Sequence, residues 1–179
     1  MFVEADVCHE EQIEVLINTS VKEFERIDTV LAAAVVFKAG YVSGATSEGP
    51  VESDDGQPIS RSVKAWHKVL QINLTGVMLT DRLAGRIMID QGTGSTIVNI
   101  AWSAARVALP GAVDYCVSKA GVAKMTHAFS VEMIEHNIRV NAIGPDFIET
   151  PMTQGVQDYA EGSEIMLAMT PMGRLGKPI

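Results

Sequence analysis

The segment Ser95-Thr96-Ile97-Val98-Asn99-Ile100-Ala101 is an apolar run that predicts a buried β-strand, and a predicted helix over residues 113–136 follows it. This helix begins with Tyr115-Cys116-Val117-Ser118-Lys119, in which a tyrosine and a lysine four residues apart share one helix face. An adjacent ammonium favours the phenolate and lowers the pKa of the phenol from its ordinary value of about 10. Such a tyrosine can exchange a proton with an alcohol or a ketone near neutral pH.

Strands and helices alternate along the rest of the chain. The hydrophobic pattern predicts strands at residues 2–5, 29–37, 96–101 and 139–143, and helices at 8–25, 61–91, 113–136 and 160–169. The run at 29–37 is continuously apolar, as expected of a parallel strand that is buried on both faces. The polar, glycine-rich segment 40–60 predicts a surface loop. This alternation is typical of an α/β fold with a doubly wound parallel sheet.

Composition narrows the class of protein. The 179 residues are 47% hydrophobic, which is enough for a substantial core in one domain. A net charge of −8 argues against a nucleic-acid partner. No run is long and apolar enough to span a membrane, and the first residues lack signal-peptide character, so we expect a cytoplasmic protein. The two cysteines and four histidines share no metal-ligand spacing, so no metal site is expected.

Several other short motifs accompany the tyrosine and the lysine in a fixed order. They are Ala5-Asp6-Val7, Ile72-Asn73-Leu74-Thr75-Gly76, Leu109-Pro110-Gly111, the segment 137–143, Pro145 and Glu149-Thr150-Pro151-Met152. Together they resemble the short-chain dehydrogenase/reductase family over nearly the whole chain. The resemblance implies a Rossmann-type domain that transfers a hydride between NAD or NADP and a small-molecule alcohol or ketone. It also implies a homodimer or homotetramer that forms through the two long helices.

The resemblance assigns catalytic roles to four residues. Tyr115 would be the general acid/base, and Lys119 would lower its pKa and bind the nicotinamide ribose. Asn73 would help to hold a water that connects the lysine to solvent. The alternative for Asn73 is a core asparagine that hydrogen-bonds its own helix backbone. Ser103 is the fourth candidate.

The position of the serine departs from the family pattern. The family's serine, which orients the substrate carbonyl, stands thirteen residues before the tyrosine, where this chain has Trp102. Ser103 is the next residue, and neighbouring residues at a strand end face opposite ways. Ser103 can therefore serve only if a bulge or a shifted register turns it inward. Otherwise Trp102 fills the space of the substrate.

The resemblance also implies a set of cofactor-binding residues. Tyr115 and Lys119 belong to this set as well as to the catalytic set. The other cofactor-binding residues are Asp6, Val7, Pro145, Ile148 and Thr150. Asp6 would meet the adenine amino group, although a residue of this type also caps helix entries. Pro145 and Thr150 match the loop that meets the nicotinamide carboxamide. Asp146 replaces the usual glycine of this loop and places a carboxylate near the cofactor.

Other departures favour a second hypothesis. Ala32-Ala33-Ala34-Val35 stands where the family has Asn-Asn-Ala-Gly, and the chain has no G-x-G-x-x-G turn. We expect residues 1–179 to form a single partial Rossmann-type domain, truncated at both ends. The rival to the oxidoreductase is a non-catalytic fragment or paralogue that no longer binds cofactor. A flavodoxin-like binding domain is a third possibility, and it would not need Tyr115 or Lys119.

Overall fold

Three parallel strands form the sheet in this computed structural model, which describes residues 1–37, 59–105, 108–109, 111–157 and 160–178. They are β1 (Thr29–Ala32), β2 (Ser95–Ile100) and β3 (Ile138–Ile143), and β2 lies in the middle. Leu31 pairs with Val98, and Val98 pairs with Asn141. The parallel, Rossmann-type α/β class expected from the sequence is confirmed.

Six α-helices lie within the described residues. They are α1 (Glu10–Phe24), α2 (Val63–Leu70), α3 (Gly76–Gln91), α4 (Val113–Met133), α5 (Pro151–Gln157) and α6 (Ala160–Met169). Helices α3 and α4 contact the sheet, and α1 packs against α3. The shared core contains Ile13 and Ile17 of α1, Leu83 and Met88 of α3, and Ile97 of β2.

The two faces of the sheet differ in burial. On the face that carries α3 and α4, Ile97 and Asn99 have no exposed surface. On the other face, Leu31 is 57% exposed and Ile143 is 53% exposed. The expectation that strand 29–37 is buried on both faces is therefore wrong for the described residues, because their long helices cover only one side of the sheet.

The predicted helix 61–91 is interrupted. Helix α2 begins after Ser62, whose hydroxyl accepts a hydrogen bond from the Ala65 amide at 3.1 Å. A π-helical turn over Gln71–Thr75 then separates α2 from α3. Such turns are rare and are frequent at functional sites. The run ends as predicted at Gly92, which has a φ of 64° and donates to the carbonyls of Met88 and Ile89.

Gly76, the first residue of α3, allows a close contact with the segment before α1. A Cβ at this position would lie 2.8 Å from Val7 Cγ2 and 3.1 Å from the Val7 carbonyl oxygen. Any larger residue would therefore push the two segments apart. The glycine of the Ile72–Gly76 motif thus has a packing role.

Several element boundaries differ from the sequence predictions. Residues 2–5 form no strand, because no other described strand lies beside them to complete a hydrogen-bonded ladder. Phe24, an apolar residue of α1, is 60% exposed, and β1 ends at Ala32, before the predicted end at residue 37. Helix α5 was not predicted, and α6 has the predicted bounds. Most of the predicted loop 40–60 lies outside the described residues.

A buried polar cluster connects α3, β2 and α4. The Asn99 side-chain amide donates to Asp81 Oδ2 at 2.7 Å and to Thr126 Oγ1 at 3.0 Å. All three side chains are almost completely buried. Burial raises the pKa of Asp81 to about 6, although the Asn99 bond opposes this shift. Asp81 Oδ1 and Asn99 Oδ1 accept no hydrogen bond from the described residues. A proton on Asp81 would provide a hydrogen-bond donor among these buried acceptors.

We predict that Asp81 makes the protein less stable as pH rises. The folded pKa of about 6 lies above the ordinary value of 3.8, so the folded chain holds a proton that the unfolded chain has released. Between about pH 4 and about pH 7 this group should lower the free energy of unfolding by about 3 kcal/mol. Urea unfolding across this range should show that Asp81→Asn removes this part of the pH dependence.

The exposed Asp90 of the same helix provides the matched control. Asp90→Asn removes a carboxylate outside the buried cluster, so it should not remove the part of the pH dependence that Asp81 causes. If Asp81→Asn shows the same pH dependence as the wild type, Asp81 does not bind its proton more tightly in the folded state.

Candidate active site

Tyr115 and Lys119 lie on the first turns of α4, next to the carboxyl end of β2. Tyr115 is 8% exposed and Lys119 is 2% exposed. The Lys119 ammonium donates to the backbone carbonyl of Ile100, the last residue of β2, at 2.7 Å. Its Nζ lies 5.7 Å from the centroid of the Tyr115 ring. The helix therefore places both groups at the edge of the sheet where parallel α/β proteins bind ligands.

Burial determines the proton affinities of both groups. Burial raises the pKa of the Tyr115 phenol to about 12, and the neighbouring Cys116 adds to this shift. Burial also lowers the pKa of the Lys119 ammonium to about 8. The expected lowering of the tyrosine pKa by the lysine is wrong for this packed arrangement, because loss of solvent and the neighbouring Cys116 both disfavour the phenolate.

Asn73 connects three parts of the site and is completely buried in the π-helical turn. Its Oδ1 accepts a hydrogen bond from the Val36 amide at 2.8 Å, and its Nδ2 donates to the Val36 carbonyl at 2.9 Å. Nδ2 also lies 3.2 Å from the hydroxyl of Ser118, the residue before Lys119. These partners contradict the alternative in which Asn73 bonds its own helix backbone. Its assignment to a water relay stays a prediction.

A buried ion pair holds the start of α4, and the sequence analysis missed it. Arg61 donates to Asp114 Oδ1 at 3.1 Å and to the Gly111 carbonyl at 3.3 Å. The same carboxylate oxygen accepts from the Tyr115 amide at 2.8 Å. Asp114 therefore fixes the backbone of the tyrosine. The available signal was an acidic residue in the first helical turn, where the helix dipole favours a negative charge.

Aromatic rings surround the tyrosine. The ring centroids of Trp102 and Tyr115 are 5.4 Å apart, and the interplanar angle is 66°. Phe37 meets Tyr115 edge-on with the ring centroids 5.1 Å apart, and the ring centroids of Phe147 and Trp102 are 5.4 Å apart. These distances are typical of favourable edge contacts between aromatic rings. Trp102 thus occupies space directly beside the tyrosine ring, as expected if it fills the place of a substrate.

Ser103 begins a short 3₁₀ turn after β2 and bonds the loop that follows β3. Its hydroxyl donates to Asp146 Oδ1 at 2.9 Å, and its amide donates to the Pro145 carbonyl at 3.1 Å. Within the described residues, the structure shows no hydrogen bond between Ser103 and Tyr115. The catalytic assignment of Ser103 stays a prediction.

The expected cofactor-binding residues lie in two places. Asp6 and Val7 precede α1, and the Asp6 carboxylate accepts from the Cys8 amide at 2.9 Å, which lowers its pKa. This bond is the kind that a residue capping a turn makes. Asp6 remains more than half exposed, so it can still accept another donor.

Pro145, Ile148 and Thr150 follow β3 in one loop. The Ile148 carbonyl accepts from the Thr153 hydroxyl at 2.7 Å, and the Thr150 amide donates to the same hydroxyl at 3.0 Å. Thr153 therefore shapes this loop from inside α5, a role that the sequence analysis did not assign. A shallow cleft beside it is lined by Glu149, Thr150, Pro151, Gln154 and Gln157.

Two kinds of feature are absent from the described part of the chain. None of its helices is long and apolar enough to cross a membrane. The same residues contain no group of three or more His, Cys, Asp or Glu side chains that could hold a metal ion.

Comparisons with known proteins agree with this fold. A family model described as enoyl-(acyl carrier protein) reductase matches residues 1–179. The 3-oxoacyl-(acyl-carrier-protein) reductase of Thermotoga maritima is 35% identical, over 97% of this chain and 63% of that protein. The cis-4-hydroxycyclohexanecarboxylate dehydrogenase of Sinomonas cyclohexanicum is 32% identical, over 99% of this chain and 64% of that enzyme.

A solved structure of a related protein has the same fold. The crystal structure of a short-chain type dehydrogenase/reductase from Mycobacterium marinum superposes with a TM-score of 0.84 at 27% identity. The match covers 99% of this chain and 63% of that one, so the chain spans less than two thirds of the length of these relatives. The whole-length family match and the shared fold show that the chain belongs to the short-chain dehydrogenase/reductase family.

Proposed function

We propose that this chain carries the proton-transfer site of an oxidoreductase that moves a hydride between NAD(P)(H) and a secondary alcohol or its ketone. The observation that carries the proposal is the burial of Tyr115 and Lys119 side by side, with Lys119 anchored to the Ile100 carbonyl. A buried phenol and ammonium at the carboxyl ends of parallel strands suit acid–base chemistry on a small ligand. The related reductase and dehydrogenase support the same class of reaction.

Tyr115 is the general acid/base of the proposed reaction. With a pKa of about 12 it is protonated at neutral pH, so it is ready to donate a proton to a carbonyl oxygen. In the reverse direction the phenol must lose its proton before it can accept one from an alcohol. Lys119, with a pKa of about 8, is charged at neutral pH and favours that loss.

The residues present suit one end of a nicotinamide nucleotide. The Lys119 ammonium has three N–H donors, and the structure shows one of them on Ile100. With the Tyr115 phenol and the Thr150 hydroxyl, it forms a donor set that matches a ribose and a carboxamide. The nucleotide, NAD or NADP, would supply the hydride acceptor or donor. Asp6, Val7, Pro145 and Ile148 would complete its binding.

Asn73 and Ser103 have supporting roles in this proposal. Asn73 holds the loop after β1 against α4 through Val36 and Ser118, so it fixes the neighbourhood of Lys119. Ser103, in the turn after β2 and next to Trp102, would contact the substrate. We also infer a homodimer or homotetramer, because α4 exposes Val117 and Val131 at 43% and 65%.

The second candidate is a non-catalytic member of the same fold that does not bind cofactor. The contact between Trp102 and Tyr115 favours it, because the indole lies where a substrate would have to approach the phenol. The two candidate functions predict different effects on activity when the Trp102 indole is removed.

We predict that Trp102→Ser raises cofactor-dependent alcohol oxidation. The substitution opens space beside Tyr115 and restores a hydroxyl donor, and one positioned donor to a developing oxyanion is worth on the order of 100- to 1000-fold in rate. The reaction is followed by nucleotide absorbance with a panel of secondary alcohols. Tyr115→Phe in the Trp102→Ser background should abolish the gain, whereas Trp66→Ser, at a tryptophan for which the structure shows no ring contact with Tyr115, should give none.

Two other results of this experiment would change the assignment. If Ser103→Ala silences an enzyme that is already active while Trp102→Ser changes little, then Ser103 is the catalytic serine. If Tyr115→Phe retains full activity, the proposed acid–base role is wrong.

We predict weak nucleotide binding by this 179-residue chain. Its sequence has no G-x-G-x-x-G motif, and the anion site that such a motif forms at a helix N-terminus contributes much of the affinity for a dinucleotide. Calorimetric titration with NAD(H) and NADP(H) should give dissociation constants well above the micromolar range. Micromolar binding would contradict this prediction and would mean that another segment recognises the phosphates.

A further inference from the structure

The Thr153 hydroxyl is the centre of a hydrogen-bond network between α5 and the loop that follows β3. Its oxygen lies 2.7 Å from the Ile148 carbonyl oxygen, 3.0 Å from the Thr150 amide nitrogen and 2.7 Å from Gln157 Nε2. A carbonyl oxygen can only accept a hydrogen bond, whereas the two N–H groups can only donate one. Thr153 therefore donates to Ile148 and accepts from Thr150 and Gln157.

These bonds use the full hydrogen-bonding capacity of Thr153. A hydroxyl has one proton and two lone pairs. The proton is directed to the Ile148 carbonyl, and the two N–H groups of Thr150 and Gln157 occupy both lone pairs. The Thr150 hydroxyl oxygen lies 3.4 Å from Thr153 Oγ1, which is longer than the range of about 2.5–3.0 Å for O–H···O bonds. Thr153 therefore has no lone pair left to accept the Thr150 hydroxyl proton.

The Thr150 hydroxyl belongs to a residue that a ligand can reach. Thr150 is half-buried and lines the cleft beside this loop together with Gln157. The cleft has a volume of about 480 Å³, within the range of roughly 300–1,000 Å³ that is usual for small-molecule sites. Among the described residues, the Thr150 hydroxyl has no hydrogen-bond partner except the distant Thr153 oxygen. Its proton is therefore available to a ligand in the cleft.

We propose that Thr153 and Gln157 are positioning residues that keep the Thr150 hydroxyl proton available for a carbonyl oxygen of the ligand. The inference rests on the proposed function for the identity of that ligand, which is the carboxamide end of a nicotinamide nucleotide. It adds two residues that determine how Thr150 binds this group. Thr153 acts through Thr150, and Gln157 acts by occupying a lone pair of Thr153.

The test uses nicotinamide mononucleotide, the part that NAD and NADP share, and ribose 5-phosphate, which lacks the nicotinamide. Binding to the full chain is measured from the NMR shifts of the backbone amides of residues 148–150. Thr153→Val has nearly the same shape without the hydroxyl. It should weaken binding of the mononucleotide about fivefold, the effect of one neutral hydrogen bond, and leave binding of ribose 5-phosphate unchanged. Thr153→Ser keeps the hydroxyl and should retain the wild-type affinity.

A second variant tests the same network while Thr153 is retained. Gln157→Leu empties one lone pair of Thr153, so the Thr150 hydroxyl can turn toward it and mononucleotide binding should weaken by a similar factor. In a chain that carries Thr150→Val, neither Thr153→Val nor Gln157→Leu should weaken binding further, because the proton they act on is gone. Thr80→Val removes a hydroxyl that bonds the Gly76 carbonyl within α3, and it should have no effect.

Four results would overturn the proposal. They are unchanged mononucleotide affinity in both Thr153→Val and Gln157→Leu, further losses in the Thr150→Val chain, equal losses for ribose 5-phosphate, and no binding of the mononucleotide. Because no turnover is measured, these results are independent of whether Tyr115→Phe loses activity. The positioning role of Thr153 and Gln157 and the proposed reaction can therefore fail separately.

Discussion

The hydrogen bond from the Lys119 ammonium to the Ile100 carbonyl is the contact on which the site depends. It crosses from the first turns of α4 to the last residue of β2, and Lys119 is only 2% exposed. Without it, a nearly buried ammonium would have to be desolvated with no acceptor shown for it, which is costly. The contact therefore fixes how far α4 lies along the strand, and with it the position of Tyr115.

Two other buried contacts reinforce the same placement from different segments. Asn73 bonds both backbone groups of Val36 and reaches Ser118, while Arg61 and Asp114 hold the backbone at Tyr115. These polar contacts are largely removed from water, where removal of one partner leaves the other unsatisfied. The site is consequently rigid around the tyrosine backbone. The aromatic packing by Trp102 and Phe37 then raises the proton affinity of the phenol instead of lowering it.

The sequence predicted the features that depend on local pattern. The order of strands and helices, the end of α3 at Gly92 and the placement of Tyr115 and Lys119 on one helix all follow from periodicity and turn chemistry. The π-helical turn at Asn73 could not be predicted, because the apolar repeat continues through it and its amide partner lies 37 residues away. The predicted lowering of the Tyr115 pKa was also wrong, since this pKa depends on rings that tertiary packing brings from distant segments.

The central claim is that the Lys119 ammonium is buried against the Ile100 carbonyl, and a titration of Lys119 by NMR tests it most directly. The side-chain signals of the lysine, assigned by their loss in Lys119→Arg, are followed as pH rises. An ammonium held against Ile100 beside Tyr115 should titrate with a pKa of about 8, because burial disfavours its charge. A pKa near the ordinary value of 10.5 would show that Lys119 is solvated, and the account of the site would then be wrong.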